Sequence, residues 1–139
     1  MNEKPNPLKN KSIQFALRVI KLYQLFIDKK KEFVMIKQLL RSGTSVGANI
    51  REVQNAESKA DFIHKLSISQ KECDETMYWL ELLFQAEYLS EKEYNSIYPE
   101  AQELLKMLHS SILTSRKIIH SSSFIIHHSC RYNTHQIYI

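Results

Sequence analysis

Two glycines and three prolines in 139 residues leave this chain almost without the residues that punctuate β-structure. An all-β sandwich or barrel needs a turn roughly every ten residues, so that class is excluded. The same scarcity excludes Gly-rich phosphate loops and dinucleotide fingerprints. Long, uninterrupted helices remain. The length suits one domain with its own core, and 43% hydrophobic residues supply that core. Two cysteines, Cys73 and Cys130, are too few for a disulfide framework or a four-cysteine zinc site. The opening run from Met1 to Pro7 has no apolar stretch, so no signal peptide is expected, and no apolar run is long enough to span a membrane. The expectation is a cytoplasmic, mostly helical protein.

Hydrophobic spacing divides the chain into four helices. After a basic leader (1–11), Ser12 is positioned to cap a helix running to about Asp28. It carries two neighbouring stripes: Ile13, Ala16, Ile20, Gln24 and Ile27, and beside it Phe15, Val19, Leu22 and Phe26. A second helix reads from Glu32 to Ala56, with Phe33, Ile36, Leu40, Gly43, Gly47 and Ile50 at heptad-like spacing. Each glycine costs about 0.5–1 kcal/mol against alanine inside a helix. A close approach by another helix is the better reason to accept that cost, a kink the other. Ser58 and Asp61 form a capping-box pattern that opens a third helix to about Glu87, and Ser90 and Glu93 form another that opens a fourth. Pro99 inside the fourth predicts a kink or marks its true start. Short connections favour antiparallel neighbours. The fold class is therefore all-α, an antiparallel up-down-up-down four-helix bundle over 12–117. From Ile118 to Ile139 the helical period is lost, which predicts an irregular Ser/His-rich tail. The double stripes on the first and third helices exceed one bundle core and point to a homo-oligomer interface, although a broad core face would look similar.

Charge is unevenly placed within the net +4. Residues 1–40 hold nine Lys/Arg against three acids, and residues 61–100 hold three against nine. Two readings stand side by side: a basic surface for RNA or DNA, or basic and acidic regions that pair with each other. The nucleic-acid candidates are Arg18, Lys21, Lys29, Lys30, Lys31 and Lys37, binding phosphate as point charges without base readout. No catalytic constellation is legible. Glu72 and Glu75 share a helix face, but no Glu-x-x-His pair accompanies them, as di-iron bundles require; Asp61 and His64 are the nearest approximation. His120, His127, His128, Cys130 and His135 have zinc-binding chemistry in no recognised spacing. Neither metal nor cofactor is expected. Register across the second and third helices instead predicts that Arg41 pairs with Glu75 or Glu72.

The run Gln38-Leu-Leu-Arg-Ser-Gly-Thr-Ser-Val-Gly-Ala-Asn-Ile-Arg-Glu52, with Ser58-Lys-Ala-Asp-Phe62 and Lys71-Glu-Cys-Asp-Glu-Thr-Met-Tyr-Trp-Leu80, closely resembles the 23S rRNA-intervening sequence protein family over about residues 12–117. That resemblance implies an antiparallel bundle without known catalytic activity, often assembled as a ring-like homopentamer. It is also similar to accessory proteins of diversity-generating retroelements, basic pentamers that bind nucleic acid and a reverse transcriptase. It thus implies a ribonucleoprotein component or a reverse transcriptase as partner. The family pattern falls on Arg41, Ser42, Gly43, Thr44, Ser45, Gly47, Asn49 and Glu52, and on Glu72, Glu75, Thr76 and Trp79. Read from the residues alone, these are packing positions and inter-helix contacts. The expected function is a non-catalytic, nucleic-acid-binding scaffold; the alternative is a protein–protein scaffold that binds no nucleic acid.

Overall fold

Asn6 and Pro7 start the first helix. The Asn6 side chain accepts a hydrogen bond from the Lys9 N–H at 3.1 Å, and Pro7 occupies the first helical position, where its missing N–H costs nothing. In the computed structural model the backbone is described for residues 4–137 and the side chains for residues 4–121. Helix α1 spans Pro7–Leu25 and continues into a π-helical turn, Phe26–Lys30. Helix α2 spans Met35–Glu52 and ends in a 3₁₀ turn, Val53–Asn55; α3 spans Lys59–Gln85, and α4 spans Glu91–Ile137. Among the described residues there is no strand.

Three boundaries differ from the sequence expectation. Residues 7–11, expected as leader, are the first turn of α1, because Asn-Pro supplies both an N-cap and a first helical residue. Ser12 is accordingly not a cap but a buried residue inside α1. Glu32 lies outside α2 and caps it: its carboxylate accepts from the N–H groups of Val34, Met35 and Ile36 at 2.8–3.0 Å, satisfying donors that every helix start leaves open. From Ile118 on, where an irregular tail was expected, the backbone stays helical to Ile137. No glycine or proline follows Pro99, so no residue there breaks the helix. The tail histidines 127, 128 and 135 and Cys130 lie outside the described side chains.

The helices surround one core. Phe15, Val19 and Phe26 enter from α1, and Ile36, Leu39, Val46 and Ile50 from α2. Leu66, Cys73, Leu80 and Leu83 enter from α3, and Ile97, Ala101, Leu104, Leu108 and Ile112 from α4. Contacts between consecutive helices run in opposite senses. Gly43 faces Val19 and Gly47 faces Ser12; Val46 meets Ser69 and Ser42 meets Thr76; Cys73 meets Ala101 and Glu81 meets Tyr98. With α1 also against α4, this is an up-down-up-down bundle.

Each seam is closed differently. At α1–α2, a Cβ added to Gly43 would lie 3.0 Å from a Val19 methyl, and one added to Gly47 would lie 3.2 Å from the Ser12 hydroxyl. Close backbone approach, not a kink, is why glycine stands there. At α2–α3 the Ser69 hydroxyl donates to the Val46 carbonyl at 2.8 Å, and the fully buried Ser42 and Thr76 hydroxyls lie 3.0 Å apart. At α3–α4 the rings of Phe84, Tyr94 and Tyr98 form a stack with centroids 4.4 and 4.7 Å apart. The Tyr98 hydroxyl there donates to Glu81 at 2.5 Å.

Candidate nucleic-acid interface

The six cations predicted as a binding surface divide into two groups. Arg18, on the α4 side of α1, donates to the Ser96 carbonyl at 2.9 Å and to the Ser96 hydroxyl at 2.8 Å, and pairs with Glu100 at 2.9 Å. Pro99 removes one backbone donor from this stretch of α4, and Arg18 reaches a carbonyl within a turn of it. Lys30, in the π-helical turn, donates to the Tyr88 carbonyl and pairs with Glu93 at 3.1 Å, its ammonium 5.0 Å from the Phe26 ring centre. These two cations tie α1 and the turn after it to the start of α4.

Lys21, Lys29, Lys31 and Lys37 are exposed. Among the described residues, none of the four belongs to an ion pair. Lys29 lies in the turn and Lys31 just after it, and Lys31 adopts the left-handed conformation with φ 53°, which reverses the chain without a glycine. Lys37 lies in the first turn of α2.

The Arg-Ser-Gly-Thr-Ser block of α2 faces its neighbours. Arg41 reaches both acids expected from register, Glu72 at 3.1 Å and Glu75 at 2.5 Å. Its hydrogen bond to Glu75 holds that carboxyl below its usual value against the opposing effect of partial burial, with the Trp79 indole N–H helping at 3.2 Å. Thr44 and Ser45 return their hydroxyls to carbonyls one turn back, Leu40 and Arg41, at 2.7 Å. The Asn49 amide donates to the Ser45 carbonyl at 2.8 Å. Glu52 is exposed at the end of α2. Most of the block's polar groups are spent within the bundle, which is what inter-helix packing requires and a ligand pocket does not.

Metal-ligating side chains do not converge: among the described residues no group of three or more His, Cys, Asp or Glu could hold an ion. Asp61 caps α3, accepting from the Glu57 N–H at 3.0 Å, while His64 is exposed. No helix is long and apolar enough to cross a membrane among the described residues.

Sequence reasoning missed Lys92. It stands across a groove of about 710 Å³ from Arg18 and Lys21, between α1 and the first turns of α4. Only the α1–α4 register brings it there, and no stripe on a single helix reveals that register. On the far side of α1, Ile13 and Leu17 are 49% and 54% exposed, with Ile20 beside them. Of the two stripes on α1, one makes the core; the other faces outward at Ile13 and Ile20 and returns to the core at Ile27.

A sequence profile described as 23S rRNA-intervening sequence protein matches residues 6–110. A solved structure, a protein of unknown function from the S23 ribosomal protein family of Bacteroides thetaiotaomicron VPI-5482, is similar at 53% identity with a TM-score of 0.74. The match covers 76% of this chain and 94% of that one. Comparison with curated proteins gives no match.

Proposed function

The chain belongs to the 23S rRNA-intervening sequence protein family, and on that premise we propose that it is a non-catalytic, cytoplasmic, homo-oligomeric scaffold that binds RNA or DNA without reading bases. The observation that carries the nucleic-acid part is the set of four exposed cations outside any described ion pair, Lys21, Lys29, Lys31 and Lys37. Arg18 and Lys30 contribute less, because α4 already engages them. Lysines without a fixed partner meet phosphates as mobile point charges, which favours any sequence equally. The relative's membership of the S23 ribosomal protein family agrees with an RNA or ribonucleoprotein setting, and a reverse transcriptase is a partner of the same kind.

Oligomerisation rests on the outward face of α1. Ile13, Leu17 and Ile20 lie beside a groove floored by Gly47 and Ala48 and edged by Lys9 and Arg51. The exposed face of α3 carries Lys71, Asp74 and the half-exposed Tyr78. A basic apolar face and a mixed-charge aromatic one on the same protomer suit head-to-tail contact between copies, the arrangement that closes into rings.

Light-scattering mass measured with and without labelled mixed-sequence RNA tests both parts. Four released counterions predict that affinity falls about 50- to 150-fold between 50 and 200 mM salt, and K29E/K31E/K37E abolishes binding. L17E dissociates the oligomer. A stable oligomer indifferent to RNA and DNA at low salt would overturn the nucleic-acid reading and leave a protein–protein scaffold. A monomeric wild type would overturn the oligomer.

A further inference from the structure

The α1–α4 groove has an electrostatic asymmetry that its ion pairs do not remove. Its acid, Glu93, is committed: burial alone would raise its carboxyl, but the Ser90 N–H and the Lys30 ammonium together draw it below its ordinary value. Glu100, just outside, is engaged by Arg18. Lys21 on one wall and Lys92 on the other are exposed and outside any described ion pair. Lys92 is the second residue of α4, where the helix dipole opposes a cation, so an anion in the groove would relieve both. Arg18 spends two of its guanidinium's five N–H donors on Ser96 and pairs with Glu100 outside the groove. Between the walls lie Leu22, Leu25 and the buried Ile97. A volume of about 710 Å³ falls within the span of sites that hold small organic ligands.

We propose that this groove is a nucleotide subsite: Lys21 and Lys92 hold one phosphate from opposite walls, and Leu22, Leu25 and Ile97 take the attached sugar or base. Cations beside an apolar floor match a group that is anionic at one end and flat and weakly polar at the other. The subsite rests on the nucleic-acid reading and gives it a location, the nucleotide being one unit of a single strand seated against the bundle.

The test uses the full chain with methyl-labelled leucine and isoleucine, a fluorescent oligouridylate and uridine monophosphate as probes. The oligonucleotide is expected to shift the Leu22, Leu25 and Ile97 methyl signals. K21Q/K92Q should bind it about tenfold more weakly at low salt, with a log–log salt slope shallower by about 1.4. K29Q/K31Q removes the same charge outside the groove and should leave the methyl shifts in place. If K21Q/K92Q binds with unchanged affinity and slope, the subsite is wrong while the nucleic-acid reading stands. If the wild type binds no oligonucleotide, that reading fails. The subsite then survives as a free-nucleotide site only if uridine monophosphate moves the same methyls and K21Q/K92Q abolishes the effect. No response to either probe overturns both.

Discussion

The two sides of α1 are closed by different physics. Toward α2 the contact is steric: Gly43 and Gly47 let the backbones approach until Val19 and Ser12 fill the space a side chain would take. Toward α4 the contact is ionic and partly open. Lys11 pairs with Glu103, Arg18 with Glu100 and Ser96, and Lys30 with Glu93, beside a groove that runs the length of α4's first turns. Dispersion contacts in a close-packed seam ignore salt and pH. Exposed ion pairs are worth little each and are screened. One helix therefore has an edge fixed by volume and an edge fixed by charge.

The sharpest break is at Gly43. Gly43→Leu forces a branched side chain into Val19 and should cost about 3 kcal/mol by overpacking, read as a lowered urea midpoint. Val19→Ala in the same background should return part of the loss, since it empties the space the leucine needs. Arg18→Ala on the other edge should cost only about 0.5–1 kcal/mol, and that difference should shrink between 50 and 500 mM salt while the Gly43→Leu difference does not.

Acid separates the seams that carboxylates help to close, α1–α4 through Glu93 and α2–α3 through Glu75, from the steric α1–α2 seam. Glu93 and Glu75 titrate below the ordinary carboxyl value of 4.5 in the folded chain. A depressed folded pKa contributes stability that is present above the unfolded pKa and lost as pH falls through the folded one. The wild type should therefore lose stability below about pH 4.5, and a chain carrying E75Q and E93Q should lose less over the same window. The smallest effect belongs to Lys11→Gln, whose partner Glu103 is about half exposed: a change within about 0.5 kcal/mol, measurable only as a difference in salt dependence.

These edges were unequally legible in the sequence. Ser58 with Asp61 and Ser90 with Glu93 mark two helix starts, because a cap hydroxyl and an acid three residues on solve a local problem of unpaired N–H groups. The glycines pointed to a close approach or a kink, and the Val19 and Ser12 contacts decide for the approach. Arg41 with Glu72 and Glu75 followed from counting outward from a short connection. Arg18 read as a surface cation because its partner Ser96 is 78 residues away. Reaching it requires the packing of the first helix on the last, which no local pattern encodes. The same limit hid Lys92. On α1, period alone could not tell Phe15 and Val19 from Ile13 and Ile20, since adjacent stripes have identical spacing and only burial separates them.

Cys73 is buried in the α3–α4 seam, where its thiol donates to the Ala101 carbonyl at 3.3 Å and burial, with Asp74 nearby, pushes its pKa up to about 12. The thiolate is the form that attacks thiol reagents, so this sulfur is chemically silent for as long as α3 and α4 stay together. In a chain carrying Cys130→Ser, the labelling rate of Cys73 becomes a clock for that separation. It records how often the bundle parts at the α3–α4 seam, and whether a ligand held by Lys29 and Lys31 slows that opening.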